Sequence, residues 1–244
     1  MKQLYVHTLA FNSLNFVRNA ISLFEKQKPD YPIAGKILVD PNYPITGSLT
    51  PAQHSEALRE IATEYGWQYV RMEKNLGVSG NWNWVMAHLG LGDGDALYGN
   101  DPDSRAEIPK YLDAMMAVLN GDPNCYTVQL NQAGVYLMNL PRDEFSVNGV
   151  NVIAYRQTYA WPCGIFDCGW LKKIGGLRQM HDYYGHIEVA TARAAAPFGC
   201  RWYVLRDFYD SHQTADDSLY TEYKLAAAQH QTKDDFSTWL KARA

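Results

Sequence analysis

Two carboxylates with the spacing D-x-D stand at Asp101 and Asp103, just after a short apolar run, Ala96 to Tyr98, that reads as a buried strand closed by Gly99. Aspartate is disfavoured inside a strand, so both side chains are expected just past its carboxyl end. Two carboxylates this close repel each other unless a cation or a hydrogen-bond donor sits between them. A hard divalent cation already carrying phosphate oxygens meets that need, because Mg2+ and Mn2+ favour a few carboxylates together with substrate phosphates. Asn100-Asp101-Pro102-Asp103 is also good turn chemistry, so the pair acquires meaning only from what surrounds it.

The elements that must position it alternate in type. Leu4 to Leu9 reads as a first strand, and Asn12 or Ser13 can cap a helix whose apolar stripe is Leu14, Val17, Ile21 and Phe24. Pro29 and Pro32 end that helix. Lys36 to Asp40 is a second strand that again closes on a carboxylate. Thr50-Pro51 opens a helix running to about Tyr65. Trp67 to Met72 is a third strand, and Ser79 to Leu89 a third helix. This alternation predicts an α/β fold with a mixed, mostly parallel sheet flanked by helices. Right-handed crossovers then bring the strands' carboxyl ends to one edge, where open α/β sheets bind ligands. His7-Thr8, Asp40, Asn75 and the Asp101/Asp103 pair converge there.

Further along, Ile108 to Leu119 reads as a helix and Tyr126 to Leu140 as strand-rich. Asn148-Gly149 marks a hairpin, with the strand after it continuing to Tyr159. Phe166 to Ile174 is predicted as one helix ended by Gly175-Gly176, and Glu188 to Ala196 as a helix stopped by Pro197. Trp202 to Leu205 is a late strand leading to Asp210-Ser211-His212, and the tail from Asp217 is helical. Between the third strand and its helix, Asn75-Leu76-Gly77-Val78-Ser79-Gly80-Asn81-Trp82-Asn83 supplies glycines for close approach or positive φ, and Asn75 or Ser79 as a cap. Free N–H groups there would favour an anionic or polar ligand. No Lys-Ser/Thr follows at P-loop spacing.

The 244 residues suffice for one sizeable core, and the net charge of −4 argues against non-specific binding to nucleic acid or anionic lipid. Cys125, Cys163, Cys168 and Cys200 form no C-x-x-C pair and are expected as free thiols in a reducing compartment. Met1 to Thr8 lacks the pattern of a secretory leader, and no run is long enough to cross a bilayer, so a cytoplasmic location is expected.

An N-x-G-x-x-G-x-x-N segment followed by a strand ending in D-x-D resembles the inverting glycosyltransferases of family 2, which have the GT-A fold. The resemblance runs from about Leu4 to His212 and includes Cys163-Gly164-Ile165-Phe166, Leu171 to Leu177, Tyr184-Gly185-His186-Ile187-Glu188 with Arg193, and Tyr209 to His212. It implies a domain over residues 1–212, with 1–104 binding the nucleotide sugar and 105–212 carrying the acceptor and catalytic side. Residues 213–244 would be a helical extension that packs on the domain, covers the acceptor, makes a homodimer or sits near a membrane surface. It further implies metal-dependent transfer of a hexosyl or pentosyl group from a nucleoside-diphosphate sugar to a hydroxyl on a saccharide, lipid-linked sugar, protein or modified nucleic acid. Asp103 would hold Mn2+ or Mg2+ on the diphosphate, Asp101 the ribose or the metal, and His212 would be a further ligand. Asp40 would hold the base or ribose, with Thr8 and Arg71 as additional donor-site candidates beside Asn75.

Glu188 is the implied base, with Asp182 as competitor, because the family has an acidic pair where His186-Ile187-Glu188 offers one acid. Arg193 would bind phosphate or pair with Glu188 or Asp182. Trp161, Trp170, Trp82 and Trp84 can form a sugar platform or simply fill core. Two alternatives stay open. One is a degenerate module that binds sugar or nucleotide without turnover. The other is a sugar nucleotidyltransferase, although Leu9 to Leu14 lacks that class's basic glycine-rich loop.

Overall fold

Strands and helices alternate through the first hundred residues in a computed structural model of the chain, which describes residues 1–11, 14–43, 49–132, 141–155, 163–178, 187–212 and, beyond these, 222, 225–226, 229, 234 and 236–242. In order these are β1 (Gln3–Leu9), α1 (Leu14–Glu25), β2 (Ile33–Asp40), α2 (Pro51–Tyr65), β3 (Gln68–Arg71), α3 (Gly77–His88), β4 (Asp95–Gly99) and β5 (Ser104–Arg105). Then come α4 (Tyr111–Gly121), β6 (Cys125–Gln132), β7 (Arg142–Val147), β8 (Val150–Tyr155), β9 (Gly164–Asp167), α5 (Cys168–Ile174), α6 (Ile187–Ala195), β10 (Arg201–His212) and α7 (Phe236–Lys241).

The sheet order is β3-β2-β1-β4-β9-β6-β10-β8-β7, with β5 paired to β10 off this path. Along that path only β9 and β8 run against the others, so the sheet is mixed and mostly parallel. Its two faces follow from strand alternation. Leu4, Val6, Leu38, Ala96 and Tyr98 join the core with α1, α2 and α4. Leu9, Ile37, Val39, Leu97 and Phe166 face α3 and α5.

Local chemistry accounts for several boundaries. Thr50 and Gln53 form a reciprocal capping box ahead of Pro51, and Gly66 at φ 69° ends α2. Asn148 (φ 47°) and Gly149 (φ 80°) both take the positive φ that a two-residue hairpin turn demands. The predicted helix over 166–174 is a correction. Gly164–Asp167 form β9 instead, and the helix begins at Cys168, with the Asp167 carboxylate accepting the Trp170 N–H at 2.9 Å. All four β9 residues are buried between β4 and β6, and that sandwiching overrides the helical reading. Segments 133–140 and 156–162, where further strand was expected, lie outside the described residues. All four cysteines are free thiols, with Cys125, Cys163 and Cys168 buried. In the tail, Trp239 of α7 is buried. Among the described residues no helix is long and apolar enough to cross a membrane.

A transverse row of residues crosses the sheet at the level of His7. Ile37, His7, Gly99, Gly164, Gln129 and Val204 are successive cross-strand partners on β2, β1, β4, β9, β6 and β10. Side chains in such a row share a face, and the two glycines leave space on it. The Trp82 ring from α3 fills the space over Gly99, so that a Cβ there would fall inside the indole. Gly99→Ala is therefore expected to destabilise the chain by about 2–3 kcal/mol through overpacking, measured by urea unfolding. Wild-type stability in that variant would show that Trp82 can leave the row without loss.

Candidate functional site

The carboxyl ends of β1, β2, β3 and β4 lie side by side, and the predicted residues fall into two groups there. One group is tied into the protein. Asp40 ends β2 and is 3% exposed. Its Oδ2 accepts from Ser55 Oγ at 2.6 Å and from the Tyr69 hydroxyl at 3.0 Å, and Arg71 Nε stands 3.6 Å away. Its Oδ1 accepts the Asn42 N–H at 2.9 Å. Asn42, at φ 55°, links onward by accepting from Arg71 Nη2 at 3.0 Å and donating to the Glu73 carbonyl at 2.7 Å. Burial lowers the pKa of neighbouring His54, with Asp40 pulling it up and Arg71 pushing it down. Burial chiefly raises that of Tyr69. Thr8 is fully buried and its hydroxyl accepts from Asn100 Nδ2 at 3.2 Å, while the Asn100 N–H reaches the His7 carbonyl at 2.9 Å. Thr8 thus acts on the loop after β4 rather than on the rim itself.

The asparagine–glycine segment is tied in as well. Asn75 Oδ1 accepts from the Gly77 N–H and from Asn81 Nδ2, both at 2.9 Å, and Asn81 Oδ1 accepts the Leu76 N–H at 2.9 Å. Gly77 takes φ 74°, and a Cβ on Gly80 would meet Leu76 Cβ at 2.7 Å. Asn83 then exchanges two hydrogen bonds with the Leu177 backbone, at 2.9 and 2.8 Å, stitching α3 to the turn after α5. Two of the segment's N–H groups, those of Leu76 and Gly77, are thus engaged by its own side chains. Ser79 is corrected as a cap. It lies inside the first turn of α3, its Oγ buried without a partner.

The other group faces outward. Asp101 and Asp103 are half-buried on either side of buried Pro102, in a turn closed by the Ser104 N–H on the Asp101 carbonyl at 3.1 Å. Arg71 is about 41% exposed at the end of β3. Glu188 sits half-buried in the first turn of α6. Arg193 is exposed in the last turn of α6, five residues on. That spacing turns it off the Glu188 face. The two predicted roles of Trp82 and Trp170 resolve differently. Trp82 is core, edge-on to His7 with ring centroids 4.1 Å apart. Trp170 lies at the opposite end of the sheet, lining a cleft of about 540 Å3 with Lys2, Asp93 and Lys173. Trp84 stacks on His88 along α3. Asp182 and Trp161 lie outside the described residues.

His212 reaches the D-x-D turn through the backbone. β5 and the end of β10 pair antiparallel, with His212 opposite Ser104 and Ser211 opposite Arg105. The His212 side chain is outside the described residues, and among those described no three His, Cys, Asp or Glu side chains form a cluster that could hold a metal. What the turn offers a cation is two half-exposed carboxylates, the hard oxygen donors that suit Mg2+ or Mn2+. Behind them runs a buried set that sequence reading missed. Ser104 Oγ donates to Asp210, the Cys163 thiol donates to Ser104 Oγ at 3.0 Å, and Tyr98 bonds Tyr111 at 3.0 Å.

Among solved structures, the chain superposes on GalNAc-T7 with UDP, GalNAc and Mn2+ at a TM-score of 0.69 and 10% identity, over 88% of this chain and 44% of that one. It matches the mannosyltransferase PcManGT from Pyrobaculum calidifontis, in complex with GDP-Man and Mn2+, at 0.65 and 15%, over 93% and 62%. It matches S. aureus TarS 1-349 with UDP-GlcNAc at 0.55 and 14%, over 88% and 60%. This chain has the GT-A glycosyltransferase fold. It spans about half to three-fifths of the length of those relatives. No family model and no curated protein matches the sequence, so the GT-A likeness is carried by the backbone and not by overall sequence.

The GT-A sheet also buries a titratable group beside the rim. Both ring nitrogens of His7 are buried without a partner, and burial lowers its pKa to about 3. The folded imidazole is neutral, whereas the unfolded one takes a proton below its ordinary 6.5. His7 therefore withdraws stability as pH falls from 6.5 toward 3, by about 1.4 kcal/mol per unit. His7→Leu is expected to reduce the stability lost between pH 7 and pH 5 by about 2 kcal/mol, read from urea unfolding at each pH. An unchanged profile would mean that the imidazole is protonated in the fold.

Proposed function

We propose that this chain is a metal-dependent, inverting glycosyltransferase domain that moves a sugar from a nucleoside-diphosphate sugar to a hydroxyl acceptor. The observation that carries the reading is the pairing of β5 with β10, which sets His212 opposite Ser104, one residue from Asp103, on the rim where β1 to β4 end. Structures of the same fold with UDP or GDP-Man and Mn2+ support it. Asp101, Asp103 and His212 would hold the cation. When bound, a divalent cation offsets the negative charge that builds on the departing diphosphate.

The chain's own residues divide the remaining work. Arg71, exposed beside Asp40 and Asn42, offers a cation to the nucleotide. Asp40 stays the candidate for the nucleobase or ribose, since Oδ1 accepts one N–H from Asn42 and has a second lone pair to offer. Asn75 and Thr8 shape the rim through Asn81 and Asn100 without presenting their own acceptor oxygens. Glu188, in the first turn of α6, takes the acceptor's proton as the hydroxyl attacks the anomeric carbon from the side opposite the diphosphate. Asp182 is the second candidate for that proton.

Incubation with UDP- and GDP-sugars and Mn2+, followed by detection of released nucleoside diphosphate, tests the reading. Binding of donors without hydrolysis or transfer to any acceptor would favour a module that binds without turnover. Asp103→Ala is expected to remove the Mn2+-dependent part of nucleoside diphosphate affinity, seen as loss of the thermal shift that bound nucleotide confers; unchanged Mn2+ dependence would remove Asp103 from the site. Glu188→Gln should keep donor binding and reduce turnover by about 10^2-fold or more, and a near-normal rate would move the base to Asp182.

A further inference from the structure

The turn that carries Asp101 and Asp103 is not held by its strand alone. β5 is two residues long and makes two registered pairs with β10. Pairing that short is marginal without other support. The support comes from the Ser104 side chain, which is 3% exposed. Its hydroxyl donates to the Oδ1 of Asp210, a carboxylate 1% exposed and two residues before His212 on β10. The same hydroxyl accepts from the Cys163 thiol at 3.0 Å. Close to this thiol, the Tyr98 hydroxyl donates to Tyr111 on α4 at 3.0 Å. A hydrogen bond to a buried carboxylate is charge-assisted and stronger than a neutral one. Here its two ends are 106 residues apart in the chain, and they flank both halves of the candidate cation site.

We propose that Ser104 is a positioning residue that sets the affinity of the Asp101/Asp103 turn for a divalent cation, by clasping that turn to the strand end carrying His212. This rests on the metal-dependent reading above. Ser104 ligates nothing itself. Its backbone N–H fixes the turn on the Asp101 carbonyl, and its side chain fixes the turn to β10. Ligands supplied by two chain segments keep their spacing only if the segments are joined, and partners behind metal ligands commonly change metal affinity by about 10–100-fold when removed.

The test is a Mn2+ titration at fixed UDP and, separately, GDP, following nucleotide binding by calorimetry and thermal shift. Ser104→Ala is expected to raise the Mn2+ concentration at half-saturation about tenfold or more, and Ser104→Thr, which keeps the hydroxyl, to restore it to within about twofold. Tyr111→Phe removes a hydroxyl from the same buried set. It should lower the melting temperature of the metal-free protein without moving the Mn2+ midpoint, which separates positioning from general loosening. If Ser104→Ala does not fold, Ser104→Cys keeps the shape with a weaker donor and should give an intermediate midpoint. A midpoint in Ser104→Ala or Ser104→Cys equal to the wild type, or a shift in Tyr111→Phe as large as in the Ser104 variants, would overturn the proposal. A wild-type chain that binds UDP and GDP with no Mn2+ dependence would instead overturn the metal-dependent reading, and the role of Ser104 with it.

Discussion

The antiparallel contact between β5 and the end of β10 is the constraint on which the candidate site depends. It joins Ser104 and Arg105 to His212 and Ser211, segments that only the finished sheet can bring together. Closing so long a loop costs entropy that two backbone pairs offset poorly. The buried Ser104–Asp210 bond supplies what the short strand lacks, with Cys163, Tyr98 and Tyr111 ranged behind it. Burial pushes the Cys163 thiol and both tyrosines well above their ordinary pKa ranges, so these groups stay protonated: the thiol donates to Ser104 Oγ, Ser104 donates to Asp210, and the Tyr98 hydroxyl donates to Tyr111.

Along the rest of the rim, polar residues sort by burial. Asp40, Thr8, Asn75 and Asn81 face inward and satisfy backbone or side-chain partners. Arg71, Asp101, Asp103 and Glu188 keep exposed surface. A buried polar group without a partner costs about 1–3 kcal/mol, so inward-facing polar residues are pressed into mutual pairs. The inward set still matters to chemistry. It fixes the loops on which the outward set is mounted.

The glycines of the transverse row show the same economy from the packing side. Gly99 gives up its side chain so that Trp82 can lie on β4 and touch both His7 and Phe166. Gly164 sits beside it with Gln129 and Thr127 at ordinary contact distance. His7, Gln129 and Thr127 all carry buried polar atoms with no partner. This face of the sheet therefore holds polar atoms close beneath the rim, where an interior built for stability alone would be apolar.

Sequence alone determined the alternation of strand and helix over the first hundred residues, the helix start at Thr50-Pro51, the hairpin at Asn148-Gly149 and the edge on which Asp40 and Asp101/Asp103 converge, because period, caps and turn residues are local signals. It also pointed to the GT-A fold through the order of loose motifs. It misjudged Phe166-Asp167 as helix, since insertion between β4 and β6 is a tertiary fact. It left the Asn75 to Asn83 segment open between a turn with a cap and a ligand-binding segment, and only the structure shows that Asn83 splices α3 to the turn at Leu177. Ser104 carried no signal, and Asp210, Cys163 and Tyr98 were legible only as parts of motifs or of a strand, never as a linked set. Their types are common and their spacing is arbitrary along the chain, and only the register of β10 against β5 and the burial of that junction give them a shared role.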